Sequence, residues 1–189
     1  MRQLSFFIIA IALITGCADL NKQSQLTAID QMQTTLDSLE KVVKANEIDT
    51  IAALRVATNT LELRIKNYYD SDTINIELGK KMNAFKSMRR RLNPLGRSYS
   101  TLNRGIIEQR KQLKNLKTDI EQGNGKRNEY DTYIAHEKGK IIQLKSILTA
   151  YIKEKDSTMS TFHKLYPELN AFSLEQMEKY NRKRNRNLN

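Results

Sequence analysis

Ile29, Met32, Leu36, Leu39 and Val43 recur at intervals of three and four residues, a spacing that places all five on one stripe of an α-helix. Ile51, Leu54, Thr58, Leu61, Ile65 and Tyr68 repeat the interval after an offset across residues 44–50. Few segments alternate with a period of two. The chain is rich in Leu, Ile, Lys, Arg, Glu and Gln, has 2 prolines and 7 glycines in 189 residues and lacks Trp, which favours helices over sheets.

The offset predicts a helix break near Ala45-Asn46, with Asn46 able to cap the next helix, and Asp70-Ser71-Asp72 predicts a second break. Ile74, Leu78, Met82, Phe85 and Leu92 mark a third stripe. Asn93-Pro94-Leu95-Gly96 is expected to end it, because proline lacks an amide donor and biases the preceding residue away from helix. Leu102, Ile106, Gln109, Leu113, Leu116 and Ile120 resume the spacing up to a turn at Gln122-Gly123-Asn124-Gly125. Tyr130, Ile134, Glu137, Ile141, Leu144, Leu148 and Tyr151 then stay in register and continue toward Met159 and Phe162, with Pro167 closing the run. A helix over residues 126–164 would extend about 60 Å at 1.5 Å per residue, too long for a compact globule. Ser173-Leu174-Glu175-Gln176 has the capping-box pattern that starts a short helix, and residues 181–189 read as a disordered tail. Gly79, Gly105 and Gly139 each weaken a helix by about 1 kcal/mol relative to alanine and could mark a kink. The expected fold is all-α: an elongated helical bundle or antiparallel coiled coil of about five helices.

The amino terminus carries a different signal. Arg2 is followed by an almost wholly apolar run over residues 4–14, the charge and hydropathy pattern of a secretory signal peptide. The run is about half of the roughly 20 residues needed to cross a bilayer core. It ends in Ile14-Thr15-Gly16-Cys17, which holds the only cysteine. These four residues resemble the lipobox of bacterial lipoproteins, in which an aliphatic and two small residues precede the cysteine. The resemblance covers the first 17 residues alone. It implies cleavage before Cys17, a diacylglycerol on its thioether and an acyl chain on the new amino terminus. Two or more acyl chains hold a chain stably on a bilayer, and the mature chain would carry no free thiol for disulfides, catalysis or metal ligation. Ala18 rather than aspartate follows the cysteine, which points to the outer membrane facing the periplasm. The expected organisation is therefore a signal peptide over 1–16, a tether over 17–25, a helical bundle over 26–166, and a short helix with a basic tail over 167–189.

Charge is unevenly placed. Residues 17–79 carry 6 basic and 10 acidic side chains, whereas residues 80–117 carry 12 basic and 1 acidic. Residues 118–178 return to 8 and 10, and the last eleven residues add 5 basic and no acidic side chains. The basic block centres on Arg89, Arg90 and Arg91 and extends through Arg97, Arg104, Arg110, Lys111, Lys114 and Lys117; a second cluster, Arg182-Lys183-Arg184-Asn185-Arg186, lies in the tail. These cations either pair with the acidic first hairpin or form a contact surface for anionic lipid, lipopolysaccharide, cell-wall polymer or an acidic protein face. Tyr99 and Tyr180 beside cations would suit nucleic acid in a cytoplasmic chain, but the export signal argues against that partner.

Motifs that would carry catalysis fail on spacing. His136-Glu137 has Lys140 where a zinc protease would place its second histidine, and Gly123-Asn124-Gly125-Lys126 lacks the upstream glycine and following hydroxyl of a phosphate loop. His163 is solitary. Glu137 and Thr58 fall at core positions, where a polar side chain sets helix register. The expected function is a lipid-anchored, non-catalytic scaffold or adaptor that contacts an envelope protein or copies of itself through coiled-coil faces. The alternative is a periplasmic chaperone-like protein or binder of anionic envelope polymer or lipid that uses the basic turn 80–117. No cofactor, metal or nucleic acid is expected.

Overall fold

A computed structural model describes the backbone of residues 2–47 and 51–186, with side chains from residue 21 onward in those ranges. Ile14-Thr15-Gly16-Cys17, the signal peptide and the acylation expected at Cys17 lie outside the described side chains. Among the described residues the protein is all-helical, without a strand: α1 (Arg2–Ala45), α2 (Ile51–Tyr68), α3 (Ile76–Gln122), a 3-10 turn (Arg127–Glu129) and α4 (Tyr130–Arg186). Residues 21–25, expected within the tether, already belong to α1, and Gln25 is buried. No described helix is long and apolar enough to cross a membrane.

Two compact units result, one from Met1–Ala45 with Thr101–Leu148 and the other from Asn46–Ser100 with Thr149–Asn189. In the first, α1 buries Ile29, Met32, Leu36, Leu39 and Val43, α3 buries Leu102, Ile106, Leu113, Leu116 and Ile120, and α4 buries Tyr130, Ile141, Leu144 and Leu148. The helices α1 and α3 run antiparallel there, since Lys22 bonds the Glu121 carbonyl while Asp30 meets Lys117 and Asp37 meets Arg110. Gly105 lets α4 come close: a Cβ built on it would lie 2.7 Å from Leu144 Cδ2.

The second unit is built alike. Leu61 and Ile65 of α2, Phe85 and Met88 of α3, and Leu165 and Leu169 of α4 form one core, flanked by Phe162 and Tyr166, whose rings stack at 4.7 Å. Lys81 to Glu168 and Arg91 to Glu154 make α3 antiparallel to α4 there, and Glu62 pairs with Arg89 across α2 and α3.

The turns follow from their residues. Gly123, at φ 70°, ends α3 with its amide on the Ile120 carbonyl and the Asn124 amide on the Asp119 carbonyl, the paired bonds of a Schellman cap. Asn75 caps α3 by accepting the Leu78 amide at 2.9 Å. Asn46, expected to cap α2, instead lies five residues before Ile51; its carbonyl accepts from Tyr151 and its side chain from Lys155.

Two expected breaks are absent. The helix α3 continues through Pro94 and α4 through Pro167, so four α-helices are described where about five were expected. Both prolines are exposed, as are Arg90 and His163, whose carbonyls lose the amide partner four residues on and are left to water. Meanwhile Leu92, Leu95 and Leu102 of α3, and Leu165 and Leu169 of α4, keep the three-four burial pattern on either side. A break at either proline would take those leucines out of register and expose them, at roughly 1.5–3 kcal/mol apiece, so packing outweighs a proline in each helix. Ser173 likewise starts no new helix: it is buried within α4 and donates to the Asn170 carbonyl at 2.8 Å. The tail expected to be disordered is helical to Arg186, where Tyr180 meets the Tyr68 ring at 5.4 Å and Lys179 and Arg182 pair with Glu175 and Glu178 one turn back.

Candidate functional site

The cations of α3 sort by the direction the heptad gives them. With Phe85, Met88, Leu92 and Leu95 turned inward, Arg89 lies on the edge toward α2 and Arg91 on the edge toward α4. Arg89 Nε donates to Glu62 Oε1 at 2.8 Å and its terminal nitrogen to Asn59 at 3.1 Å. Arg91 reaches Glu154 at 3.5 Å and Ser157 at 3.2 Å. Between them Arg90 faces water, as does Arg97 seven residues on, and neither pairs with a carboxylate among the described residues.

The part of α3 in the first unit repeats the division. Arg110 spreads its guanidinium over two carboxylates of α1, Asp37 at 2.6 Å and Glu40 at 2.7 Å. The hydrogen bond to Asp37 is the largest of the effects that raise the Arg110 pKa further above its ordinary value. Lys117 donates to Asp30 at 2.7 Å, a bond that raises its pKa as well. Lys111 and Lys114 are exposed and unpaired among the described residues. Arg104 points the same way and only approaches Glu108 on its own helix, at 3.8 Å.

Of the eight residues singled out by sequence, Arg89, Arg91 and Arg110 are therefore structural cations that hold α3 to its neighbours. Arg90, Arg97, Arg104 and Lys111 follow one another at seven-residue intervals, so within each unit their share lies on the outer face of α3, joined by Lys114. Internal pairing, one of the two alternatives weighed, is made by Arg89, Arg91 and Arg110, while Arg90, Arg97, Lys111 and Lys114 are left exposed. The interval was visible in the sequence, but without the core residues as a reference it did not say which cations faced outward.

Two cavities with charged residues in their lining were not foreseen. One, at the α3–α4 turn of the first unit, is lined by Lys22 and Arg127. The other, in the second unit, brings Tyr68 and Asp70 beside Lys179, Tyr180, Lys183 and Arg184. Their residues lie far apart in sequence, and no local motif brings them together. Among the described residues no three His, Cys, Asp or Glu side chains are grouped to hold a metal ion. His136 and His163 are both exposed. No family model, curated protein or solved structure matches the chain.

Proposed function

We propose that the chain is a lipid-anchored, non-catalytic helical adaptor of the bacterial envelope that meets an anionic partner through the outward-facing cations that α3 carries within each unit. The anchor rests on the lipobox-like Ile14-Thr15-Gly16-Cys17. The expectation of antiparallel coiled-coil packing is supported by the three-four spacing of buried residues within each unit. Those apolar faces are consumed internally, which leaves outer faces for a partner.

One observation carries the choice of face: Arg90, Arg97, Lys111 and Lys114 are exposed without an acidic partner, whereas Arg89 and Arg110, on the neighbouring edge of the helix, are paired. Unpaired cations on the outer face of α3 within each unit raise the local concentration of anions. Outer-membrane lipid or lipopolysaccharide phosphates, cell-wall polymer and the acidic face of an envelope protein all have the required charge.

Photocrosslinking from position 90, with position 33 on α1 as the control, tests the proposal in a host that retains Cys17. A discrete protein adduct identifies an adaptor contact; a heterogeneous lipid- or glycan-bearing product identifies an envelope polymer. With Arg90 already replaced by the probe, changing Arg97, Lys111 and Lys114 to glutamine as well should abolish either product while leaving helicity unchanged. Binding should also weaken steeply with salt, since exposed charges are screened beyond about 10 Å at 0.1 M. A contact that survives the fourfold change overturns the assignment of this face.

A further inference from the structure

A cavity of about 510 Å³ opens where α3 turns into α4 in the first unit, and Lys22 of α1 and Arg127 of the turn both line it. Lys22 Nζ donates to the Glu121 carbonyl oxygen at 2.8 Å, and Arg127 Nε donates to the Gly123 carbonyl oxygen at 3.0 Å. These bonds position the two cations without neutralising them. Neither pairs with a carboxylate among the described residues. An ammonium has three N–H donors and a guanidinium five, so most of their donors are still free. Asn21 and Asn128 add amide groups to the lining. Glu121 is the lining carboxylate and brings the formal charge of the cavity to a single positive one. That balance fits a monoanionic phosphodiester better than a dianionic phosphate ester, and N–H donors on two separate cations suit its two non-bridging oxygens.

The cavity is also close to the anchor. Lys22 follows Cys17 by five residues, and five residues span at most about 18 Å even when fully extended. A thioether held at a bilayer surface therefore keeps Lys22 within reach of the headgroups. We propose that this cavity takes the phosphodiester of a lipid headgroup in the leaflet that holds the acyl chains of Cys17, and so seats the α3–α4 turn against the membrane. The inference rests on the lipid anchor proposed above. It turns a single covalent tether into a two-point attachment that fixes the direction in which the first unit leaves the bilayer.

The test uses the full chain made in an acylating host and reconstituted into vesicles of phosphatidylethanolamine and phosphatidylglycerol. The sequence has no Trp, so Asn124→Trp places one reporter in the turn. Mass spectrometry of the amino-terminal peptide comes first: a Cys17 without acyl chains overturns the anchor, and this inference with it. On acylated protein, lipids spin-labelled at the headgroup should quench the reporter. Lys22→Gln with Arg127→Gln should abolish the quenching, Lys22→Arg should retain it, and circular dichroism should be the same in all three. Acylated protein that is not quenched, or is quenched equally in the double variant, overturns the headgroup site and leaves the anchor standing. Water-soluble glycerophosphoethanolamine distinguishes the source of the phosphodiester. Tight binding of it to the Cys17→Ser chain without vesicles would make this a site for a free ligand and overturn the lipid assignment. Negligible binding in solution, with quenching on vesicles, supports it.

Discussion

The hydroxyl of Tyr151 donates to the backbone carbonyl of Asn46 at 2.7 Å, and thereby fixes the residue at which the chain enters the second unit. Burial pushes the phenol from its ordinary value of 10 up to about 12, with the nearby Tyr99 and Glu47 acting in the same direction. A pKa raised by folding means that the folded protein favours the protonated phenol. Its contribution is intact below pH 10 and is lost as pH rises through about 12. Tyr151→Phe should cost about 1–2 kcal/mol at neutral pH, because it leaves the Asn46 carbonyl without this donor. The difference between the two proteins should shrink above pH 10. Urea denaturation at several pH values, with tyrosinate absorbance as a second probe, checks both statements.

Arg110 bridges Asp37 and Glu40, and it is partly exposed. The Glu40 carboxyl is held below its ordinary 4.5 chiefly by its hydrogen bond to Lys44, with Arg110 a smaller contributor. A carboxyl pKa lowered by folding gives stability that is present above 4.5 and lost as pH falls through the folded value. Arg110→Gln should therefore lower the denaturation midpoint modestly near neutrality. The deficit should shrink in molar salt, which screens an exposed pair, and also in acid below pH 4.5. A deficit that persists unchanged under both conditions would assign the effect to lost packing of the arginine stem rather than to charge.

The apolar spacing made most of this fold legible, because burial of one residue in three or four is the same constraint read in one dimension or three. The turns at Asp70-Ser71-Asp72 and at Gly123 were legible too, since each concentrates residues that favour non-helical backbone. Pro94 and Pro167 misled because a local backbone rule was allowed to outrank a register that runs past them: Leu92 and Leu95 are in phase on either side of Pro94. The candidate face was legible only as a composition. Whether Arg89 or Arg90 is free depends on which neighbour Glu62 belongs to, and that is a long-range fact.

Pro94 should accordingly be a poor residue for the helix that contains it. It is exposed, and it deprives the Arg90 carbonyl of a donor. An interior proline costs about 3 kcal/mol relative to alanine in a regular helix, less where a bend has already absorbed the clash. Pro94→Ala should thus raise stability by about 1–3 kcal/mol, seen as a higher urea midpoint with an unchanged slope. A lower midpoint would mean that the proline's fixed backbone angle stabilises the helix more than the lost hydrogen bond costs it.

Gln109 and Glu137 form a polar pair in the core of the first unit: Nε2 of Gln109 donates to Oε2 of Glu137, and Lys140 reaches the other oxygen at 3.3 Å. Both residues sit where leucine would satisfy the heptad. Glu137→Leu alone should cost about 1–3 kcal/mol, since it strands the buried amide of Gln109. Replacing both by leucine removes the stranded group together with its partner and should be neutral or stabilising by up to a few kcal/mol. The sign reversal between single and double variants measures the coupling and cannot arise from helix propensity, which changes little at either site. What the pair contributes is then alignment. A carboxylate opposite an amide permits one register of α3 on α4, whereas a wholly leucine seam also stabilises slipped or intermolecular pairings. Sedimentation should show the double variant associating at concentrations where the natural chain does not, even though it is no less stable. If the double variant stays as the natural chain does, the apolar positions alone fix the register, and the polar pair is only a tolerated cost.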